Sequence, residues 1–140
     1  MNRSPRLLQR RDDGQISLFV AAAAFGILAA IGLAVDGGGR MRSLQHADNI
    51  AAEAARAAGQ AIDLNRAAAT GEKVLEPGAA TRAGQQYLAA AGVTGEITVS
   101  ADRQQVTVTV DDHYDTVFLG ILGYGRLPVE GHGAAQLLTG

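Results

Sequence analysis

From Ile16 to Val35 the chain reads ISLFVAAAAFGILAAIGLAV, twenty residues without a charge and with Ser17 as the only polar side chain. At about 1.5 Å per residue a helix of this length extends about 30 Å, the hydrocarbon thickness of a bilayer. A helix at the surface of a soluble domain carries polar residues at helical spacing, and this run carries none. The run predicts a membrane-spanning helix over residues 16–35, with a buried core helix as the competing reading. A cleaved secretory signal has a shorter apolar core of about 7–15 residues ending in a small-x-small site. Here the run is longer and stops at Val35-Asp36, so a retained anchor is expected, although Ala34 supplies one small residue near the end.

The flanks set an orientation. Arg3, Arg6, Arg10 and Arg11 precede the span, and no lysine or arginine follows until Arg40. Basic residues are retained on the cytoplasmic side, which puts residues 1–15 inside as a basic tail and residues 40–140 outside as an extracytoplasmic domain. Arg40 and Arg42 soften that asymmetry. The tail arginines also suit contact with anionic headgroups of the bilayer.

Within the span Ala22, Gly26, Ala30 and Ala34 recur at every fourth position. Small residues at this spacing let transmembrane helices approach closely. An alanine-rich helix produces the same stripe without any packing role. Asp36-Gly37-Gly38-Gly39 then reads as a hinge or kink, because three glycines weaken a helix. Asp36 either caps the span or opens the next helix, and the segment also reads as a simple loop.

Beyond the hinge the expected fold is α+β. Residues 40–69 predict a second long helix, with Met41, Leu44, Ala47, Ala51, Ala54, Ala58 and Ala61 along one face and Glu53 placed to pair with Arg56. That stripe suits a neighbouring helix or sheet better than a membrane surface. Thr70–Gly78 predicts a loop, and Ala79–Ala91 a shorter helix stopped by Gly92. The period then changes to two. Residues 96–100 and 105–111 predict a hairpin burying Ile97, Val99, Val106, Val108 and Val110. Asp115–Leu122 predicts a short helix ended by Gly123. A third strand is expected near Leu127–Leu137, at an edge because of Pro128. The result is a small three-stranded antiparallel sheet behind one long and one short helix. Hydrophobic residues form 47% of the chain but only 4% are aromatic, and alanine dominates the rest. An alanine core is shallow, which favours close backbone contacts and completion by a partner.

Catalytic and metal chemistry find no footing. With no cysteine, thiolate zinc sites and cysteine catalysis are excluded. Asp111-Asp112-His113-Tyr114-Asp115 is the densest polar cluster, yet it lacks the spacing and glycine of a calcium loop and reads as a solvated turn and helix cap. His46, His113 and His132 are widely separated, and no GK[ST] follows the triglycine. No cofactor is expected and no enzyme is expected. A net charge of −2 and a pI near 5.8 exclude a broadly basic nucleic-acid surface.

One stretch carries a resemblance. Gly14-Gln15 opens the span, Leu33-Ala34-Val35-Asp36-Gly37-Gly38-Gly39-Arg40 closes it, and Leu44-Gln45-His46-Ala47-Asp48 leads the following alanine-rich helix. This pattern, over about residues 10–60, resembles the Tad family of Flp pilus-assembly proteins, the TadE/TadG-like proteins of bacterial tight-adherence systems. The resemblance implies a pseudopilin-like or accessory subunit of a pilus or secretion machine, held in the bacterial cytoplasmic membrane with its domain outside. It implies other pilus proteins as partners, with homo- or hetero-oligomers open. In the TadE branch a prepilin-type cut follows a glycine with a glutamate five residues downstream. Gly14 matches that glycine, but the downstream position is Phe19, so the uncut TadG-like branch fits better and Gly14 and Gln15 are candidate processing residues only. The competing function is a membrane-tethered adhesin or ligand-binding module unrelated to pili.

Overall fold

The computed structural model describes residues 10–138, with side chains from residue 14 onward. Arg3 and Arg6 of the basic tail lie outside the described residues. The chain forms α1 (Arg10–Gly59), α2 (Leu64–Thr70), α3 (Pro77–Ala91), β1 (Thr94–Val99), β2 (Gln105–Asp115), a 3-10 turn (Leu119–Leu122) and β3 (Arg126–Gln136). The α+β class and the three-stranded antiparallel sheet are as expected, with strand order β1-β2-β3.

Residues 36–39 are helical rather than the expected hinge, and the two expected helices are one helix of 50 residues, about 75 Å long at 1.5 Å per residue. Glycine weakens a helix by about 1 kcal/mol per residue relative to alanine, which is a local cost that tertiary packing can override. Asp36 and Gly39 are both buried against the β2–β3 connection and the end of β2, which holds the helix together through the glycines.

This helix stops at Gly59 rather than continuing to the expected residue 69. Ile62 leaves the helix to form an antiparallel bridge with Leu75, and the Asp63 N–H and the Ala61 carbonyl pair with the Val74 carbonyl and the Glu76 N–H, both at 2.8 Å. Leu75 is fully buried, so the chain exchanges helical bonds at residues 60–63 for a bridge that seals one end of the core. Asp63 then caps α2 by accepting from the Arg66 N–H at 3.0 Å.

α3 begins at Pro77, two residues before the expected start. Proline fits a first helical position because its missing N–H needs no partner there, and the Glu76 carboxylate accepts from Gly78 and Ala79. Gly92 closes it in the left-handed conformation, φ 73°. Ala80, Gly84 and Leu88 form its buried face, and a Cβ at Gly84 would overlap the Ile97 side chain.

The hairpin register pairs Ile97 with Val108 and Val99 with Val106, so the alternating face packs inward. β2 runs on to Asp115, which places Asp111–Asp115 on a strand rather than in the expected turn and cap. Only a 3-10 turn forms in the region expected to be helical, and Gly123 does follow it at φ 95°. β3 is an edge strand, pairing Pro128 with His113.

The core lies between α1 and this sheet. Ala47, Ile50, Ala51, Ala54, Ala55 and Ala58 of α1 are buried, with Val106, Val108, Val110, Val129, Leu75 and Leu88 opposite. The alanine stripe is met by an equally small one. Gly131 and Gly133 of β3 lie against the backbone of α1 at Ala47 and Ala51, where a Cβ would overlap main-chain atoms. Glycine is required at these two positions because strand and helix approach so closely. Methyl burial gives about 0.8 kcal/mol per carbon, and the close approach adds dispersion that bulkier side chains would prevent.

Candidate membrane-proximal site

The N-terminal half of α1 projects beyond the folded domain. Ile16, Leu18, Phe19, Val20, Phe25, Ile27, Leu28, Ile31 and Leu33 are each more than half exposed. Among the described residues this is the one helix long and apolar enough to cross a membrane. In water such a surface would be a severe aggregation liability, and lipid removes that cost.

Where the apolar span meets the domain, Asp36 is buried to 2% exposure. Its carboxylate accepts from three consecutive backbone N–H groups of the β2–β3 connection: Val117 at 2.7 Å, Phe118 at 2.9 Å and Leu119 at 2.7 Å. The Tyr114 hydroxyl donates to it at 3.3 Å. Burial opposes ionisation of this group, but the N–H groups of Leu119, Val117 and Phe118 and the Tyr114 hydroxyl outweigh burial and hold its carboxyl below the usual carboxylate value. Burial, reinforced by the neighbouring Asp36 charge and its hydrogen bond, pushes the Tyr114 phenol up, with Arg42 pulling the other way. A buried carboxylate survives only with such partners.

Two glycines make the contact possible. The Phe118 ring covers Gly32 and the Tyr114 ring covers Gly39, and a Cβ at either helix position would overlap the ring. Gly32, Asp36, Gly39, Ser43, Ala47, Ile50 and Ala54 follow one another at steps of three and four and are all buried or half-buried. One continuous face of α1 therefore serves both the core and the membrane-proximal clasp. Sequence reading singles out Asp36 and Gly39 as parts of a hinge and misses Gly32, Tyr114 and Phe118. The available signal is the helical phase of Gly32, Asp36 and Gly39 with the buried alanines.

The remaining expected site residues lie elsewhere. Gly37 and Gly38 are exposed, with space for a Cβ at each. Ala22, Gly26, Ala30 and Ala34 are all exposed on the projecting helix. Ala34 lies two residues from Asp36 and so about 200° around the helix, on the side away from the domain. Gly14 and Gln15 are helical and exposed near the start of the described residues.

Beside the clasp a groove of about 570 Å³ is lined by Met41, Leu44 and Val129 together with Arg40 and the carboxylates of Asp111, Asp112 and Glu130. Met41, expected on the buried stripe, is instead 56% exposed beside this groove. No grouping of three or more His, Asp or Glu residues able to hold a metal ion occurs among the described residues. The chemistry on offer is apolar contact with a charged edge, three carboxylates against the Arg40 guanidinium.

Residues 14–61 match the family model Tad, "Putative Flp pilus-assembly TadE/G-like". The matched segment contains the whole apolar span, the buried Asp36 and the alanine face, so the resemblance read from those residues holds over the element that joins anchor to domain. No curated protein and no solved structure matches the chain.

Proposed function

We propose that this chain, whose residues 14–61 match the Tad family model, is a membrane-anchored accessory or minor-pilin-like subunit of a Tad/Flp pilus or secretion apparatus. It acts by protein–protein assembly and has no catalytic role. The apolar half of α1 spans the bacterial cytoplasmic membrane once, with the basic tail inside and residues 40–140 outside, as the arginine distribution favours.

The observation carrying this reading is the division of labour around α1. One face is consumed by the chain's own domain, while Ala22, Gly26, Ala30 and Ala34 stay exposed on a helix too apolar for water. In lipid, stripes of small residues are where helices associate, through close packing and Cα–H···O contacts. Neighbouring pilus or platform helices are the proposed occupants, in a homo- or hetero-oligomer. Gly14-Gln15 remains uncut in this proposal, because Phe19 stands where the processed branch carries glutamate.

Site-specific photocrosslinking from positions 22, 26, 30 and 34 in intact cells tests it. Adducts to pilin or pilus-platform proteins are expected. Absence of such adducts, with surface binding retained by the protein, would establish the adhesin reading instead.

A further inference from the structure

The β2–β3 connection carries a second apolar surface that the domain does not use. Thr116–Gly125 is TVFLGILGYG, ten residues without a charge. Val117 is 67% exposed, Ile121 81%, Leu122 63% and Tyr124 66%. Such a cluster at a loop tip is costly in water.

Its height along α1 is fixed. Asp36 holds the N–H groups of residues 117–119, and the Phe118 ring rests on Gly32, three residues inside the end of the apolar span. At about 1.5 Å per residue that contact lies about 5 Å below Val35. A helix that spans the bilayer with residues 16–35 therefore brings this loop to the level of the acyl–headgroup boundary.

The backbone is prepared for that setting. The Asp36 carboxylate takes three N–H groups of the loop. Four more are satisfied by carbonyls within the loop itself: Thr116 donates to Gly125, Ile121 to Phe118, Gly123 to Gly120 and Tyr124 to Leu119. The Thr116 hydroxyl donates to the Tyr124 carbonyl. Turns commonly make such bonds, and here they leave few loop N–H groups to be desolvated where the loop meets lipid, which offers no hydrogen-bond partner. At its base Asp115 and Arg126 pair at 3.1 Å, returning charge on the side away from the span.

We propose that the Thr116–Gly125 tip is a second membrane contact, with Val117, Ile121 and Leu122 entering the outer leaflet beside the spanning helix and Tyr124 at its aromatic-preferring boundary. The inference rests on the anchor reading above. Its consequence is rotational: a helix alone turns freely about its axis, while helix and tip together fix which face of the domain and which side of the Ala22–Ala34 stripe a neighbour meets.

The chain has no tryptophan, so single introduced tryptophans report depth in the full-length protein. Phe25→Trp, Ile121→Trp and Leu64→Trp would each be reconstituted in phosphatidylethanolamine–phosphatidylglycerol vesicles containing phosphatidylcholine brominated either near the headgroup or near the chain ends. Leu64 is 75% exposed on α2 and serves as the aqueous reference. Phe25→Trp should be quenched most by deep bromines and Leu64→Trp by neither. Ile121→Trp should be blue-shifted and quenched about twofold more by shallow than by deep bromines, as an interfacial depth of about 5–10 Å requires. If Phe25→Trp is quenched while Ile121→Trp behaves like Leu64→Trp, the tip proposal is overturned and the anchor stands. If neither is quenched, the anchor reading falls and takes the tip with it.

Discussion

Gly131 lies directly on the Ala47 peptide group, so close that a Cβ on the strand would overlap the helix main chain. The obstacle is backbone, which cannot swing aside as a side-chain end can. Gly131→Ala is therefore expected to lower the unfolding free energy by about 1–3 kcal/mol, the range for overpacking a close contact. Chemical denaturation in detergent micelles measures it. An unchanged midpoint would mean that helix and sheet stand farther apart than this contact requires.

The three glycines after Asp36 should separate by environment. Gly37 and Gly38 have open space where a methyl group would stand, whereas Gly39 is covered by Tyr114. In a continuous helix, Gly37→Ala and Gly38→Ala should each stabilise by about 0.5–1 kcal/mol, and Gly39→Ala should destabilise. Thermal unfolding of the three variants distinguishes this from a hinge, for which the helix-favouring changes at residues 37 and 38 would cost assembly in cells.

The clasp should respond to acid in a defined direction. Burial works against the Asp36 charge, yet its backbone and Tyr114 donors prevail and leave the folded carboxyl more acidic than its ordinary value of 3.8. A depressed folded value means that its contribution is fully present above about pH 3.8 and is lost as the pH falls through the folded value. The amide resonances of Val117, Phe118 and Leu119 should titrate together with a midpoint below 3.8. A midpoint at or above that value would show that the carboxylate does not hold them, and Asp36→Asn should abolish the shared transition.

What is legible in the sequence follows from how far each determinant acts. Alternation in Val106, Val108 and Val110 declares a strand face locally, and the glycine after Ala91 declares a helix stop, so hairpin and α3 are readable within a few residues. The unbroken α1 is not, because its support at Asp36 comes from N–H groups 81–83 residues away. The 3-10 turn reads as a longer helix for the same reason: its N-terminal amides are held by a distant carboxylate instead of a local cap. Small residues at Gly131, Gly133 and Ala135 alternate on one face of the last strand, matching the small face of the helix. Those two patterns, set against each other, carry the close helix–sheet contact that neither shows alone.

The exposed stripe in the span gives the sharpest separation of folding from assembly. Ala30 and Ala34 are exposed on the projecting helix, so Ala30→Leu/Ala34→Leu should leave the domain's unfolding free energy within about 0.5 kcal/mol of wild type. The same change widens a surface on which helices approach closely in lipid, where small residues are needed for contact. Co-purification of pilus components with the tagged full-length protein should fall in the double variant. Leu28→Ala, which removes bulk elsewhere on the helix, should leave it unaltered. Equal loss from both substitutions would point to general damage to membrane insertion, and no loss from either would remove the stripe from the assembly surface.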